Sequence, residues 1–459
     1  MYLYTSGCNV LFTIYCIFFV IVSCRAIPPR PLRQHHSQVN TYLKPIMNDN
    51  APKVRTPHYG WYVVAAGTLC IFASLGFGRF ALGMLLPAMA ESLELTYSQM
   101  GLISTSNFVG YLVAVLLCSY ISARIGSRLL IFFALLLVAT SMILVSRANS
   151  FITVAIIYTL TGIGSGASNV PMMGLISSWF SARQRGKAAG FVVIGSGFAI
   201  LLSGKLIPYL NQLGESDGWR LSWIVLGMIV LFISIICFVV IRDTPAELGL
   251  KPYDSNKTSP ATTPNFTGDG PVATRKDIYH LGAIYFLFGY TYVIYATFIV
   301  TTLVQERGFS ESIAGNFWSW VGFLSLFSGP VFGTLSDKLG RKSGLIMVFT
   351  IQMFAYLLVA LSLPGTFLYL SIGCYGLVAW SIPSIMAATV GDYVGPQKAA
   401  RVFGFITFIF ALGQIAGPAI AGFLAEKYGS FSSSFLMAAL FAGIAVILST
   451  RLKKPAAIS

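Results

Sequence analysis

"GTLSDKLGRKSG", residues Gly333–Gly344, sets Asp337, Lys338, Arg341 and Lys342 between two long apolar stretches. Of the 459 residues, 56% are hydrophobic and only 10% charged. A soluble domain carries about 25% charged residues, so this chain has too little polar side chain to cover a water-exposed surface. Its apolar runs recur, each near the roughly 20 residues a helix needs to cross the hydrocarbon core. Lipid offers the backbone no hydrogen-bond partner, which leaves helices as the means of spanning. The fold class is therefore an all-α integral membrane protein.

Outward from that knot, spans are expected at about 61–86, 98–121, 128–146, 152–178, 187–208 and 221–241. After a polar stretch, six more follow at about 279–303, 314–335, 343–363, 366–390, 400–424 and 431–450. The expected division is an N-terminal extension (1–58), a first six-helix bundle (59–241), a cytoplasmic linker (242–278), a second bundle (279–452) and a tail (453–459). The net charge of +15 sits in short loops between spans. That fits cytoplasmic loops facing anionic lipid better than a nucleic-acid surface. With the segment before Trp61 inside, the inner side collects Lys53, Arg55, Arg124, Arg128, Arg183, Arg185, Lys187 and the knot. It also takes Lys398, Arg401 and the Arg451/Lys453/Lys454 tail, whereas the other side keeps Arg147, Lys205, Arg220, Arg307 and Lys427. Both ends of the twelve-helix body are then expected in the cytoplasm, in a bacterial inner membrane.

The linker is rich in Pro, Thr, Ser and Asn and reads as flexible. Its sequons at Asn256 and Asn265 are chance matches if the loop is cytoplasmic. The first 46 residues contain "LFTIYCIFFVIVSC", which resembles a signal-peptide core without a preceding base. Met47 opens an ordinary lead-in and is the expected start; a signal peptide or an extra helix are the alternatives. The seven cysteines lie in or beside apolar segments with no metal-ligand spacing, and no metal or cofactor is expected.

A shift of 214 residues lays the second half on the first. Gly101 meets Gly315, Arg124 meets Lys338, Gly126 meets Gly340 and Arg128 meets Lys342. Lys187 meets Arg401, and Gly190-Phe191 meets Gly404-Phe405. One offset across several helices means two six-helix repeats in parallel.

"GTLSDKLGRK" has the form G-x-x-x-D-[RK]-x-G-[RK]-[RK], matched by Gly333, Asp337, Lys338, Gly340, Arg341 and Lys342. On this motif, the twelve spans and the repeat, the chain over about 60–452 resembles the major facilitator superfamily. The resemblance implies a secondary transporter working by alternating access, with this loop latching the cytoplasmic side while the cavity opens outward. Physically, Gly333 would let two helices approach, Asp337 would accept hydrogen bonds or pair with a base, and Gly340 would permit a tight turn. The first-half copy, "SYISARIGSR", keeps Arg124, Gly126 and Arg128 but has Ala123 for the Asp and Ser119 for the first Gly. A latch there would lack its carboxylate. "GFGRFALGMLLPAM" and "SNFVGYLVAVLL" resemble a YbfB/YjiJ-like branch. "SSWFSARQRGKAAGFVVIGSGFA" and "RDTPAELGLKP" resemble monocarboxylate and oxalate–formate carriers.

No Asp, Glu or His falls in the middle of a span, so the usual proton-relay groups are missing from the core. The family's R-x-x-x-G-x-G-x-G stretch of helix 4 reads Tyr158, Gly162, Gly164 and Gly166, with the Arg lost, which argues against drug–proton antiport. One charge lies inside. Arg79 sits in helix 1, where an Arg costs about 2.5–3.5 kcal/mol at the bilayer centre, and no carboxylate in the spans can pair with it. A bound anion fits a guanidinium's fork of donors; snorkelling to the outer interface, roughly 12 Å away at Pro87, is the other reading. Asn107, Asn169, Tyr292, Tyr295, Trp380 and Gln414 are candidates to complete a pocket, with Tyr290 beside them. Lys205 is expected to snorkel. The expected function is transport of a small organic anion such as a monocarboxylate, by exchange or with a coupling proton. An exporter of amphipathic compounds or sugars with a structural Arg79 is the alternative, and a non-transporting receptor or membrane enzyme is the remote one.

Overall fold

The computed structural model describes residues 57–214, 217–254, 274–361 and 363–452. The expectations placed on residues 1–56, on both sequons and on the 453–459 tail lie outside them. Among the described residues twelve long helices follow in order. The first bundle holds α1 (Gly60–Ser92), α2 (Tyr97–Ile125), α3 (Ser127–Val145), α4 (Phe151–Trp179), α5 (Ala182–Leu213) and α6 (Gly218–Val240). The second holds α7 (Arg275–Glu306), α8 (Glu311–Leu339), α9 (Arg341–Ala360), α10 (Thr366–Gly395), α11 (Lys398–Tyr428) and α12 (Ser432–Thr450). Eleven of them are long and apolar enough to cross a membrane. α8 is as long, but tryptophan and serine dilute its hydropathy.

The repeat is visible in the backbone. Gly126 between α2 and α3 has φ 85 and ψ 155, and its counterpart Gly340 between α8 and α9 has φ 91 and ψ 148. Both loops use glycine because an L side chain is strained at positive φ. Packing repeats too: α2 lies on α4, α3 on α4 and α6, and α1 on α5, echoed by α8 on α10, α9 on α10 and α12, and α7 on α11.

Two expectations change. α1 does not end at 86 but runs through Pro87 to Ser92; its Ala81–Pro87 stretch is buried, so no water competes for the carbonyl a proline frees. The linker is not free over its first part. Pro245–Leu248 forms a 3-10 turn capped by Thr244 and Glu247. Tyr253 then donates its amide to Trp179 O (2.9 Å) and accepts from Ser181 N (3.1 Å). Its ring packs on His58, Trp61 and Phe180. Aromatic side chains supply the burial that a Ser/Thr/Pro composition lacks.

The halves meet along α2–α11 and α5–α8. Call the end carrying the Gly333–Gly344 loop the basic end and the other the far end. Hydrogen bonds between the halves gather toward the far end. Ser98 N donates to Glu426 Oε2 (2.8 Å), Asn211 Nδ2 to Glu311 Oε2 (3.0 Å), Ser319 Oγ to Leu201 O (2.9 Å) and Thr105 Oγ1 to Ile415 O (3.0 Å). Lys205 bonds Asn316 across the same seam. Toward the basic end, Gly190 of α5 and Gly404 of α11 have open space where a Cβ would point, and Phe191 and Phe405 are exposed. The halves are drawn together at the far end and parted at the basic end.

Candidate functional site

The centre of the site is a widened turn. α1 is α-helical over Gly60–Ile71 and again over Ala81–Ser92, but Phe72–Phe80 is π-helical. A π turn leaves carbonyls poorly matched within the helix, and such turns concentrate at functional positions. Here neighbouring side chains take them. Ser165 Oγ donates to Ser74 O (2.7 Å), Asn107 Nδ2 to Gly78 O (3.3 Å) and Tyr158 Oη to Arg79 O (3.2 Å). Gly78 lets the turn press on α4, where a Cβ would lie 3.0 Å from Ser165 Oγ. Tyr158, the residue that replaces the motif arginine, thus braces the turn that carries Arg79.

Arg79 projects onto α2. Its Cζ lies 4.6 Å from the Phe108 ring centroid and 4.4 Å from that of Tyr111. Nε and Nη2 are buried without a hydrogen-bond partner. Among the described residues the salt bridges are Arg220–Asp217, Arg341–Asp337 and Arg341–Asp392; none involves Arg79. Two aromatic faces stabilise the cation by about 0.5–2 kcal/mol each but leave the N–H groups of these two nitrogens unsatisfied, a cost of a few kcal/mol for a charged group.

The other candidates fall into two sets. Around Arg79, Asn169 Nδ2 donates to Tyr111 Oη (2.7 Å). The Tyr292 hydroxyl faces the guanidinium and accepts a hydrogen bond from Gln414. The Trp380 ring lies 5.9 Å from Tyr292 and 5.1 Å from Phe80 on α1, with its Nε1 buried and unpaired. Asn107 is 1% exposed, and its Oδ1 has no partner. Tyr295 lies elsewhere: its hydroxyl pairs with Ser371 Oγ (2.9 Å) and its ring stacks on Tyr375 at 4.0 Å, inside the second bundle. Tyr290 bonds Met437 of α12. Phe108 and Tyr111 are not among the expected site residues, and Tyr158 is noted only for the arginine it replaces; the signal available was Tyr111, one helical turn after Asn107.

The two repeat loops are each tied within their own half. Arg341 Nε donates to Asp392 Oδ2 (2.9 Å) and Nη1 to Ser336 Oγ (3.0 Å) and to Asp337. Lys338 and Lys342 are exposed. Gly333 makes no close approach, with nothing within 4 Å of a Cβ there, because the basic end is parted. In the first half the carboxylate absent at Ala123 is supplied by Asp243, just past α6. Its Oδ1 accepts from Arg128 N (2.8 Å), and its Oδ2 fills the space beside Gly126. An anion at that point also complements the N-terminus of α3. Arg128 Nε donates to Phe238 O (2.8 Å), and Arg124 stacks on Tyr120.

Two parallel six-helix bundles, sealed at one end and enclosing a cation between them, define a transporter of the alternating-access class. The family model described as "Uncharacterised MFS-type transporter YbfB" matches residues 71–450, and the chain belongs to this major facilitator family of transporters. A hexuronate transporter of Bacillus subtilis (strain 168) is 28% identical over 402 residues, which are 82% of this chain and 92% of the relative. Human monocarboxylate transporter 2 is 23% identical over 412 residues, covering 84% of each chain. Among solved structures, a bacterial homologue of the human lysosomal transporter Spinster, inward-facing and unoccupied, superposes with a TM-score of 0.66 at 17% identity. That likeness covers 86% of this chain and 97% of the other.

Proposed function

We propose that this transporter moves a small organic anion and that Arg79 is the anion's counter-charge. The observation that carries the reading is the guanidinium itself, lodged between the bundles with Nε and Nη2 unpaired and outside every salt bridge of the described residues. A carboxylate supplies the two acceptors that those donors lack. The hexuronate and monocarboxylate relatives are named for organic anions, which favours the same class here. In this reading the basic end is cytoplasmic, in a bacterial inner membrane, so the parted conformation faces inward. Coupling is by exchange, or by a proton that arrives with the substrate.

One observation favours the alternative, an exporter of neutral or amphipathic solutes: the aromatic faces of Phe108 and Tyr111 hold Arg79 as they would a structural cation. Flux decides between them. Reconstituted protein is screened with labelled carboxylates and repeated as Arg79→Ala and Arg79→Lys. Losing one partner of a buried charge pair costs about 2–5 kcal/mol, so Arg79→Ala should lower carboxylate uptake about 30-fold or more. Arg79→Lys should fall between, because an ammonium cannot reproduce the fork. Uptake equal to the parent's in both variants ends the anion reading.

A further inference from the structure

The closed end of the site has one polar atom that an anion by itself does not satisfy. Asn107 Oδ1 is a buried acceptor without a partner. The amide's orientation is fixed, because Nδ2 donates to two carbonyls, Gly78 O at 3.3 Å and Tyr158 O at 3.4 Å. Turning the amide over would point an oxygen at both. Arg79 and Asn107 line the same niche with Ser104, Tyr158, Tyr292 and Thr297, and Ser104 and Thr297 are already bonded to each other (3.1 Å). The niche measures ≈ 10 Å³, room for about one oxygen atom of a water or a ligand. It therefore offers unpaired donors from Arg79 and one unpaired acceptor from Asn107. A bare carboxylate meets the donors and leaves Oδ1 to a water. An oxygen that bears hydrogen meets the acceptor.

We infer that the substrate is a 2-hydroxy acid, its carboxylate on Arg79 and its adjacent hydroxyl donating to Asn107 Oδ1. The inference rests on the anion reading above and narrows it. The hydroxyl and carboxylate of such an acid are one carbon apart, which suits an amide bonded to the residue next to Arg79. A plain carboxylate leaves the niche to a water, and this bounds the discrimination: a bound hydroxyl gains over a retained water by about tenfold, not by the larger ratios of sites that must stay dry.

The test is ligand-induced thermal stabilisation of the purified full-length protein. Two matched sets of probes are used: lactate, 2-methoxypropionate and propionate, then gluconate and 2-deoxygluconate. At least one hydroxy acid should bind about tenfold more tightly than its deoxy partner. If lactate is that acid, the methyl ether should follow propionate, since it keeps the oxygen and loses the donor. Asn107→Leu should bring hydroxy and deoxy acids to equal affinity, while Arg79→Gln weakens all of them. If Asn107→Leu does not fold, the parent protein with the matched acids is sufficient. Equal binding of hydroxy and deoxy acids in both sets, still dependent on Arg79, overturns the hydroxyl and leaves the anion reading standing. No stabilisation by any acid, with Arg79→Gln indistinguishable from the parent, overturns both.

Discussion

The seal at the far end predicts its own weak point. Gly204 of α5 and Gly315 of α8 face each other across the seam. A Cβ on Gly204 would lie 2.6 Å from Ser319 Oγ and 2.8 Å from Ser319 N, and one on Gly315 would lie 2.7 Å from Pro208 Cγ. Each would also run into the other glycine's carbonyl. Ordinary contact begins at 3.4 Å, and backbone atoms cannot swing aside as a flexible side chain does, so the helices must separate by about half an ångström or more. Overpacking of this kind costs about 1–3 kcal/mol, or about 5- to 150-fold in an equilibrium at 1.4 kcal/mol per decade. The contact belongs to the conformation closed at the far end, so the cost falls on that state alone and the population moves toward the opposite one. The gain in helix propensity from Gly to Ala applies to both states and cancels. Spin labels at Tyr209→Cys and Ile313→Cys, both exposed, in a background without the native cysteines, report the α5–α8 separation by electron–electron resonance. Gly204→Ala and Gly315→Ala should each add a longer distance. Their combination should be less than additive, because both remove the same contact. Gly190→Ala, whose Cβ meets nothing in the conformation closed at the far end, is the contrast and should add no longer distance. Parental distance distributions and parental transport in both seam variants would refute the assignment of the far end as a gate.

The repeat loops predict unequal responses. Asp337→Asn removes a partner of Arg341 and should slow turnover, whereas Ala123→Asp should change it little because Asp243 already occupies that corner; indifference at both sites in a proteoliposome flux assay would show that neither loop gates. The far-end clamp is also tested at Glu426, whose Oε2 accepts from Ser98 N (2.8 Å) across the seam. Glu426→Gln keeps an acceptor but loses the charge, so the bond weakens and spin labels on α2 and α11 should report an added longer distance; an unchanged distribution would remove Glu426 from the clamp.

The sequence by itself determined the class of architecture. Apolar runs too long and too weakly charged for a soluble domain leave only helices in lipid, and one constant offset fixed the duplication that Gly126 and Gly340 display. It also picked out Arg79, since a lone cation in uncharged spans is visible without coordinates. What it could not supply is everything set by contacts between helices distant in the chain. The π turn at Phe72–Phe80 arises because α2 and α4 take up its carbonyls. The sorting of Tyr292 toward Arg79 and of Tyr295 toward Ser371 follows from which face of α7 meets which neighbour. Asp243 completes a loop more than a hundred residues before it in the chain. Hydropathy is local and additive, so it survives in the sequence; the pairing of donors and acceptors depends on where packed surfaces bring them together, and only the tertiary structure decides that.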